Sequence, residues 1–446
     1  MALTAIQIYQ LLEKSNCAEC GVPTCLAFAM KVAQKQAALD DCPRCSEAAK
    51  AALGAAGAPP MATVTIGTGD RALTLGGETV LFRHQETFHR PTGLAVALSA
   101  ALPPDALAAQ ARALAALEFE RVGQTHRLDL IALRDEGDGA QFAAAAGVLA
   151  DAVDMPIILL TADAVAANAA AQKLSGRKPL LYGADETNLE AMVAVAKENL
   201  CVLGLKCVGV LGKLVVMSNF ATQAGLNDLL LDTGATTLAE GVQHQTAVRR
   251  ACLKDKVRAL GFPTLVMARG ATAEAQTLAA IGAVCKYAGL VVLDTAAPEA
   301  LLAVITARLN LYTDPQKPIQ IPGGLYKVGD PGPNSPVLVT TNFSLTYYTV
   351  EGEISASKVA SWVIVVDTEG TSVLTAWAAD KFTPESIAAA IKNTGLEEKV
   401  THRKIVLPGG VAVLKGKLEE LSGWGAIIGP REATGIPKLL KAGWSA

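Results

Sequence analysis

The chain has 446 residues, a formal net charge of −3, and 51% hydrophobic but only 4% aromatic residues; that is too long for one ordinary core and suggests about three domains. No lysine–arginine cluster offers the basic stripe of a nucleic-acid binder, and no apolar run approaches the ~18–20 residues that span a bilayer. The first residues, MALTAIQIYQLLEKSNC, lack the basic, apolar and cleavage regions of a secretory signal, so the expectation is a cytoplasmic protein without nucleic-acid or membrane partners. Much of the apolar excess is alanine, which suits many packed helices.

Residues 1–57 carry five of the nine cysteines. The odd count in a cytoplasmic chain argues against a disulfide framework. Cys201, Cys207, Cys252 and Cys285 lie scattered in apolar segments and read as buried small hydrophobes. The others run Cys17-x2-Cys20-x4-Cys25-x16-Cys42, with Pro43 after the last. Four thiolates spaced three-plus-one can hold an iron–sulfur cubane. Gly21 and Pro23 suit a tight loop, and LAFAMKVAQKQAALD (26–40) reads as a helix returning the chain to Cys42. Structural zinc is the alternative: Cys17-x2-Cys20 pairs with Cys42-x2-Cys45 as two knuckles. Zinc leaves Cys25 unused, whereas the cubane leaves Cys45 unused.

AALGAAGAPP (51–60) reads as a flexible connection, and residues 58–77 as linker. Gly67-x-Gly69-x-x-Ala72 formally matches a dinucleotide fingerprint. It runs into the strand-like LTLGG rather than a helix N-terminus, so the match is rejected. From 78 to 312 apolar runs alternate with alanine-rich helical stretches. The runs are VLFRH (80–84), LDLIALRDE (128–136), PIILLTAD (156–163), PLLYGAD (179–185), VGVLGK (208–213), DLLLDTG (228–234), TLVMAR (264–269) and LVVLDT (290–295). Eight such units predict a (β/α)8 barrel.

Residues 313–336, rich in proline and glycine, read as a second linker, and both linkers should let the end domains move. In 337–446 four strand candidates, VLVTTNF (337–343), WVIVVDTEG (362–370), KIVLPGG (404–410) and WGAIIGPREATG (424–435), alternate with helices. They predict a small doubly wound α/β domain with its ligand over the glycine-rich strand ends.

C-x2-C-x4-C-x16-C-P, then a barrel, then VLVTTNFSLTYYTVEGEI and VDTEGTSVLTAWAADKF together resemble the large subunit of corrinoid iron–sulfur proteins of the acetyl-CoA (Wood–Ljungdahl) pathway. They are also similar to the gamma subunit of archaeal acetyl-CoA decarbonylase/synthase. The resemblance covers essentially the whole chain. It implies a [4Fe–4S] cluster on Cys17, Cys20, Cys25 and Cys42, and a cobalamin or related corrinoid on the C-terminal domain. It implies a methyltransferase component: Co(I) accepts a methyl group from methyltetrahydrofolate through a separate methyltransferase, and methyl-Co(III) donates it to acetyl-CoA synthase. Further implied partners are a small subunit, forming a heterodimer, and a reductive activator.

None of the five histidines (His84, His89, His126, His244, His402) sits in the D-x-H-x-x-G motif that places a histidine under cobalt. The resemblance therefore implies base-off binding. Without an axial nitrogen, reduction to Co(I) is easier, and a low-potential cluster is its fitting donor. By the same resemblance the corrin lies against Thr340 and Thr346, then Gly370, Thr371, Ser372, Val373 and Leu374. Gly409, Gly410, Pro430, Arg431, Glu432 and Ala433 complete that set.

Two rivals stand beside this reading. One is an autonomous barrel methyltransferase acting on a pterin, since Asp135, Glu136, Asp163, Asp185, Lys213, Asp232, Arg269 and Asp294 lie at presumed strand ends. The other is a zinc-stabilised interaction scaffold.

Overall fold

The computed structural model of the chain describes residues 5–33, 37, 41–46, 60–82, 85, 88, 90–121, 124–207, 209–312, 318–442 and 444. The N-terminal unit holds two short helices, Ala5–Leu11 and Cys25–Ala33. Its core is small: Ile8, Leu12, Phe28 and Ala29, with Cys42 and Cys45 packed among them. The connection at 51–59 lies outside the described residues.

The hairpin of β1 (Thr63–Ile66) and β2 (Leu73–Gly76) comes next, antiparallel. The barrel follows with β3 (Gly93–Ser99), β6 (Leu130–Arg134), β7 (Ile157–Leu160), β8 (Leu180–Ala184), β9 (Val202–Lys206), β10 (Leu229–Asp232), β11 (Leu265–Ala268) and β12 (Leu290–Leu293). A small hairpin of β4 (Glu118–Arg121) and β5 (Gln124–Arg127) interrupts the sequence between the first two. The eight barrel strands pair in parallel, in chain order, and β12 returns to β3. A parallel bridge between Leu231 and Thr264, with the Leu231 N–H donating to Pro263 at 2.9 Å, joins β10 to β11 and all but closes the ring.

Alternation sorts the side chains of each strand into two layers. In β6, Leu130 and Ala132 fill the barrel interior, while Ile131 and Leu133 face the helices. The alanine excess has its explanation in that outer layer. Helix Ala164–Lys173 buries Ala166, Ala167, Ala170 and Ala171, small side chains that let helices approach the sheet and one another closely.

Six of the eight expected strands fall where their apolar runs lie. The other two are corrected. Residues 80–82 form no strand (83 and 84 lie outside the described residues), and the strand is β3 instead. Residues 209–211 form none either, and a helix begins at Gly212; the strand is β9, immediately upstream. Short apolar runs carry no periodicity that separates a strand from its flanks.

The linker at 58–77 is corrected too. Its hairpin sends Val64, Ile66 and Leu75 into the barrel interior, where each is at most 1% exposed. Gly67 and Gly69 turn that hairpin, and no helix start meets them. Cys201, Cys207 and Cys252 are buried as expected, but Cys285 is exposed at the end of its helix. Burial pushes the Cys201 thiol up to about 12 and that of Cys252 to about 11, which leaves them inert as nucleophiles.

The C-terminal sheet contains β13 (Gly324–Val328), β14 (Val337–Thr341), β15 (Ser361–Val366), β16 (Lys404–Leu407) and β17 (Gly425–Ile428), in the order β13-β15-β14-β16-β17. The last four are parallel, and β13 runs antiparallel on the edge. Helices cover both faces. Ile387, Ile391 and Leu418 pack on one side, and Tyr347, Ile354, Ile436 and Leu440 on the other. The doubly wound expectation holds, with one correction. Of the second linker, 313–317 lies outside the described residues, but 324–328 is strand β13 and 318–321 is docked. In that docked stretch Ile321 N–H donates to Asn342 O, and Ser344 N–H to Ile319 O, both at 3.0 Å.

If the 63–76 hairpin closes the barrel as packed, Ile66→Ala and Leu75→Ala should each destabilise the barrel by about 2–5 kcal/mol. A lowered urea midpoint would show it. A free linker would leave the midpoint unchanged.

Candidate cofactor sites

The cysteine loop is shaped by its backbone. Lys14, Asn16, Ala18 and Gly21 all have positive φ, at 59°, 47°, 57° and 74°. Left-handed residues interleaved with right-handed ones turn successive N–H groups to one side, a concavity that suits anions and iron–sulfur clusters. Cys17 sits inside that run. The Asn16 side chain accepts the Cys25 N–H at 2.9 Å, and the Asn16 N–H points at Cys25 Sγ at 3.4 Å. Cys25 is thereby fixed beside Cys17. The remote cysteine is tied in by charge: Arg44 binds Glu19 through two nitrogens, at 2.5–3.1 Å. Exposed on both sides, the pair contributes little stability. Its effect is to lay the Cys42–Pro43–Arg44 turn over the Cys17–Cys20 loop, and the Arg44 hydrogen bond lowers the pKa of Glu19.

Cys42 and Cys45 are both buried, 8% and 7% exposed, so burial does not choose between them. Among the described residues, no three Cys, His, Asp or Glu side chains converge on one metal ion. A cubane's thiolates stand farther apart than the ligands of a single ion. Donor chemistry and backbone concavity together fit an iron–sulfur cluster.

In the C-terminal domain the chain leaves β14 toward β15 on one side and reaches β16 on the other. Such a switch point opens a crevice at the carboxyl ends of the strands. There Thr340, Thr341 and Ser344 are all at most 1% exposed. None of their hydroxyls finds a partner within the protein. An unmatched buried hydroxyl costs about 1–3 kcal/mol, so three together mark a cradle that a polar ligand would complete.

The remaining walls come from neighbouring strand ends. At Gly409 a Cβ would stand 2.4 Å from Gly429 O, so only glycine lets the turns after β16 and β17 touch. Gly409 N–H also donates to Pro430 O at 3.1 Å. Leu374 is 56% exposed beside Gly410, an apolar platform on this rim. Val373 and Leu374 open the helix Val373–Ala378, Thr346 lies in the first turn of helix Ser344–Ser357, and Arg431 and Glu432 are exposed beyond Pro430, ahead of the half-buried Ala433.

The residue that sequence reasoning missed is Asn342. It is 2% exposed, and its Oδ1 accepts from Thr368 N–H, Thr368 Oγ1 and Gly370 N–H at 2.9–3.1 Å. Its Nδ2 donates to Asp367 and Gln320. One side chain thus holds the 367–371 loop, in which Gly370 has φ 73°, against the docked 318–321 segment. The signal available in sequence was the unbroken polar run Thr340–Thr341–Asn342 at the end of an apolar strand.

His402 lies at the amino end of β16, opposite the crevice. Its Nδ1 accepts the Lys404 N–H at 3.2 Å, and Nε2 contacts Ser335 O at 2.9 Å. Its ring stacks edge-on with Trp444.

The charges expected at the barrel's strand ends are partly structural. Asp163 caps helix Ala164–Lys173, Asp135 accepts from Thr161 and Gly137, and Lys213 pairs with Glu186 at 2.6 Å. Glu136 is exposed. Asp185, Arg269 and Asp294 line a cavity in the mouth, and Asp232 is buried beneath it.

Fold and sites together define a modular iron–sulfur protein: a cluster loop, a parallel barrel, and a doubly wound domain with an open ligand crevice. Residues 12–44 match the family described as a putative Fe–S cluster, and residues 63–440 match the family of the CO dehydrogenase/acetyl-CoA synthase delta subunit. The corrinoid/iron–sulfur protein large subunit of Moorella thermoacetica is 46% identical over 99% of both chains. The acetyl-CoA decarbonylase/synthase subunit gamma of Methanothermobacter thermautotrophicus is 36% identical over 99% of both. Dihydropteroate synthase from Thermus thermophilus overlays 56% of this chain and all of its own at 19% identity and a TM-score of 0.40, too slight a likeness to bear on function. The chain belongs to the family of corrinoid/iron–sulfur protein large subunits of the acetyl-CoA synthase system. Among the described residues no helix is long and apolar enough to cross a membrane.

If Asn342 orders the crevice loop, Asn342→Ala should cost the C-terminal domain about 1–3 kcal/mol. It should also speed hydrogen exchange at the Thr368 and Gly370 amides. Unchanged exchange there would show that the loop is held by other contacts.

Proposed function

We propose that this chain is a corrinoid methyl carrier, with a corrinoid in the C-terminal crevice and a [4Fe–4S] cluster on Cys17, Cys20, Cys25 and Cys42. When bound, the corrinoid supplies a cobalt ion that takes a methyl group from methyltetrahydrofolate, through a separate methyltransferase, and passes it to acetyl-CoA synthase, while the cluster supplies the electron that restores oxidised cobalt. A small subunit and a reductive activator complete the set of partners. The reading rests on family membership and on one observation, the three unmatched hydroxyls of Thr340, Thr341 and Ser344 at the switch point.

The residues suit this task. Corrin side-chain amides are neutral donors and acceptors, which hydroxyls and backbone groups at Thr340, Thr346, Gly370, Thr371 and Ser372 match without buried charge. Val373 and Leu374 offer apolar surface, and Gly409 and Gly410 with the 430–433 turn keep the opposite wall low. The corrinoid is held base-off, because the one histidine of the domain, His402, faces the other end of the sheet and has both ring nitrogens engaged.

Thr340→Val and Thr341→Val separate cofactor binding from structure. Each removes an unmatched buried hydroxyl, so the cofactor-free domain should become more stable by about 1–3 kcal/mol. Retention of corrinoid, read from its visible absorption, should fall about tenfold, the equivalent of ~1.4 kcal/mol. Unchanged retention would sink the assignment. For the cluster, Cys25→Ala should abolish or convert its spectrum and lower the iron content, while Cys45→Ala should leave both intact. The reverse pattern would favour the paired-knuckle alternative. For the base-off state, Co(II) should show a paramagnetic resonance spectrum without nitrogen superhyperfine splitting, and His402→Ala should not change it. Resolved splitting that vanishes in this variant would overturn it.

A further inference from the structure

The carboxyl mouth of the barrel encloses a cavity of about 640 Å³, within the range of small-molecule sites. The corrinoid reading makes no use of it. Its floor is a built arrangement. At Gly183 the backbone adopts φ 131°, and a Cβ there would lie 2.2 Å from Thr161 O. β8 shifts register between Tyr182 and Ala184 at this point. Such bulges re-aim side chains at barrel rims. Here Tyr182, 7% exposed, donates its hydroxyl to Asp232, 6% exposed, whose other oxygen accepts the Gly234 N–H at 2.8 Å. The Tyr182 oxygen keeps a lone pair as acceptor.

The cations and carboxylates lining the mouth specify the chemistry. Four carboxylates line it against three cations, so a simple anion is not the ligand it suits. Arg134 is taken by Asp294. Lys206 and Arg269, on the strands flanking Asp232, have no ion-pair partner among the described residues. Asp185 commits one oxygen to Thr187 and has the other to spare. Leu160, Met267 and Val292 contribute apolar wall. The site therefore presents donors, acceptors and a flat apolar face together.

We propose that this mouth binds a neutral, planar, amide-bearing nitrogen heterocycle. Lys206 and Arg269 donate to its carbonyl oxygen, and Tyr182 and Asp185 accept from its N–H groups. Pterin, purine and isoalloxazine rings share that chemistry. Burial raises the pKa of Asp232 and keeps its charge from dominating the floor, which favours a neutral ring further.

The test is a calorimetric titration of the full chain with pterin, xanthine and riboflavin in separate arms, and with benzoate as an anionic comparator. At least one ring should bind at a single site, and the arm that responds identifies the ring system. Lys206→Met and Arg269→Met should each weaken it at least tenfold, and Tyr182→Phe several-fold. Lys197→Met, in the groove at the opposite end of the barrel, should leave it unchanged. The proposal is overturned if no ring binds up to about 1 mM. Binding that survives both cation variants, or benzoate binding in place of the rings, would overturn it equally.

Discussion

Parallel strand pairing is the constraint on which the rest of this molecule depends. Parallel neighbours need a crossover after every strand, so all eight barrel strands and four of the five C-terminal strands end at a common edge of their sheets. Backbone carbonyls, helix N-termini and turn residues gather there, while the opposite edge receives the returning helices. Both candidate small-molecule sites are consequences of that geometry. The barrel closes its edge into a ring and leaves a mouth. The open C-terminal sheet instead leaves a crevice where the chain reverses direction around β14.

Within that frame the C-terminal site is assembled at a cost in stability. Thr340, Thr341 and Ser344 bury hydroxyls that the protein does not satisfy, whereas Asn342, beside them, satisfies nearly everything it can reach. The contrast divides their roles. Asn342 orders the 367–371 loop before any ligand arrives, and the hydroxyls are left for the ligand. Preorganisation of this kind lowers the entropy lost on binding. The cysteine loop follows the same logic with backbone in place of side chains, since its left-handed residues turn N–H groups toward the thiolates.

The N-terminal unit has the weakest means of support. Its core contains few large residues, and a domain of this size has little apolar surface to bury. Metal-linked folding is the usual remedy, because ligand bonds replace missing core. That gives the Cys17–Cys42 spacing a structural meaning beyond redox chemistry.

By itself the sequence determined the chemistry and the class of fold. The three-plus-one cysteine spacing, the alternation of apolar runs with alanine-rich helices, and the missing D-x-H-x-x-G motif are local patterns, and local patterns survive without coordinates. Six barrel strands and all four parallel C-terminal strands were legible because their runs are long, β-rich and flanked by turns. The hairpin 63–76 and strand β13 were taken for linker because glycine and proline mark turns equally well inside a sheet and between domains. Only the tertiary structure decided which buried polar groups are matched and which are not. That distinction separates Asn342 from Thr340 and Thr341, three neighbours of similar polarity, and it depends on partners at residues 320 and 366–370. The Tyr182–Asp232 pair has the same origin: it joins strands 50 residues apart, and only barrel curvature brings them together.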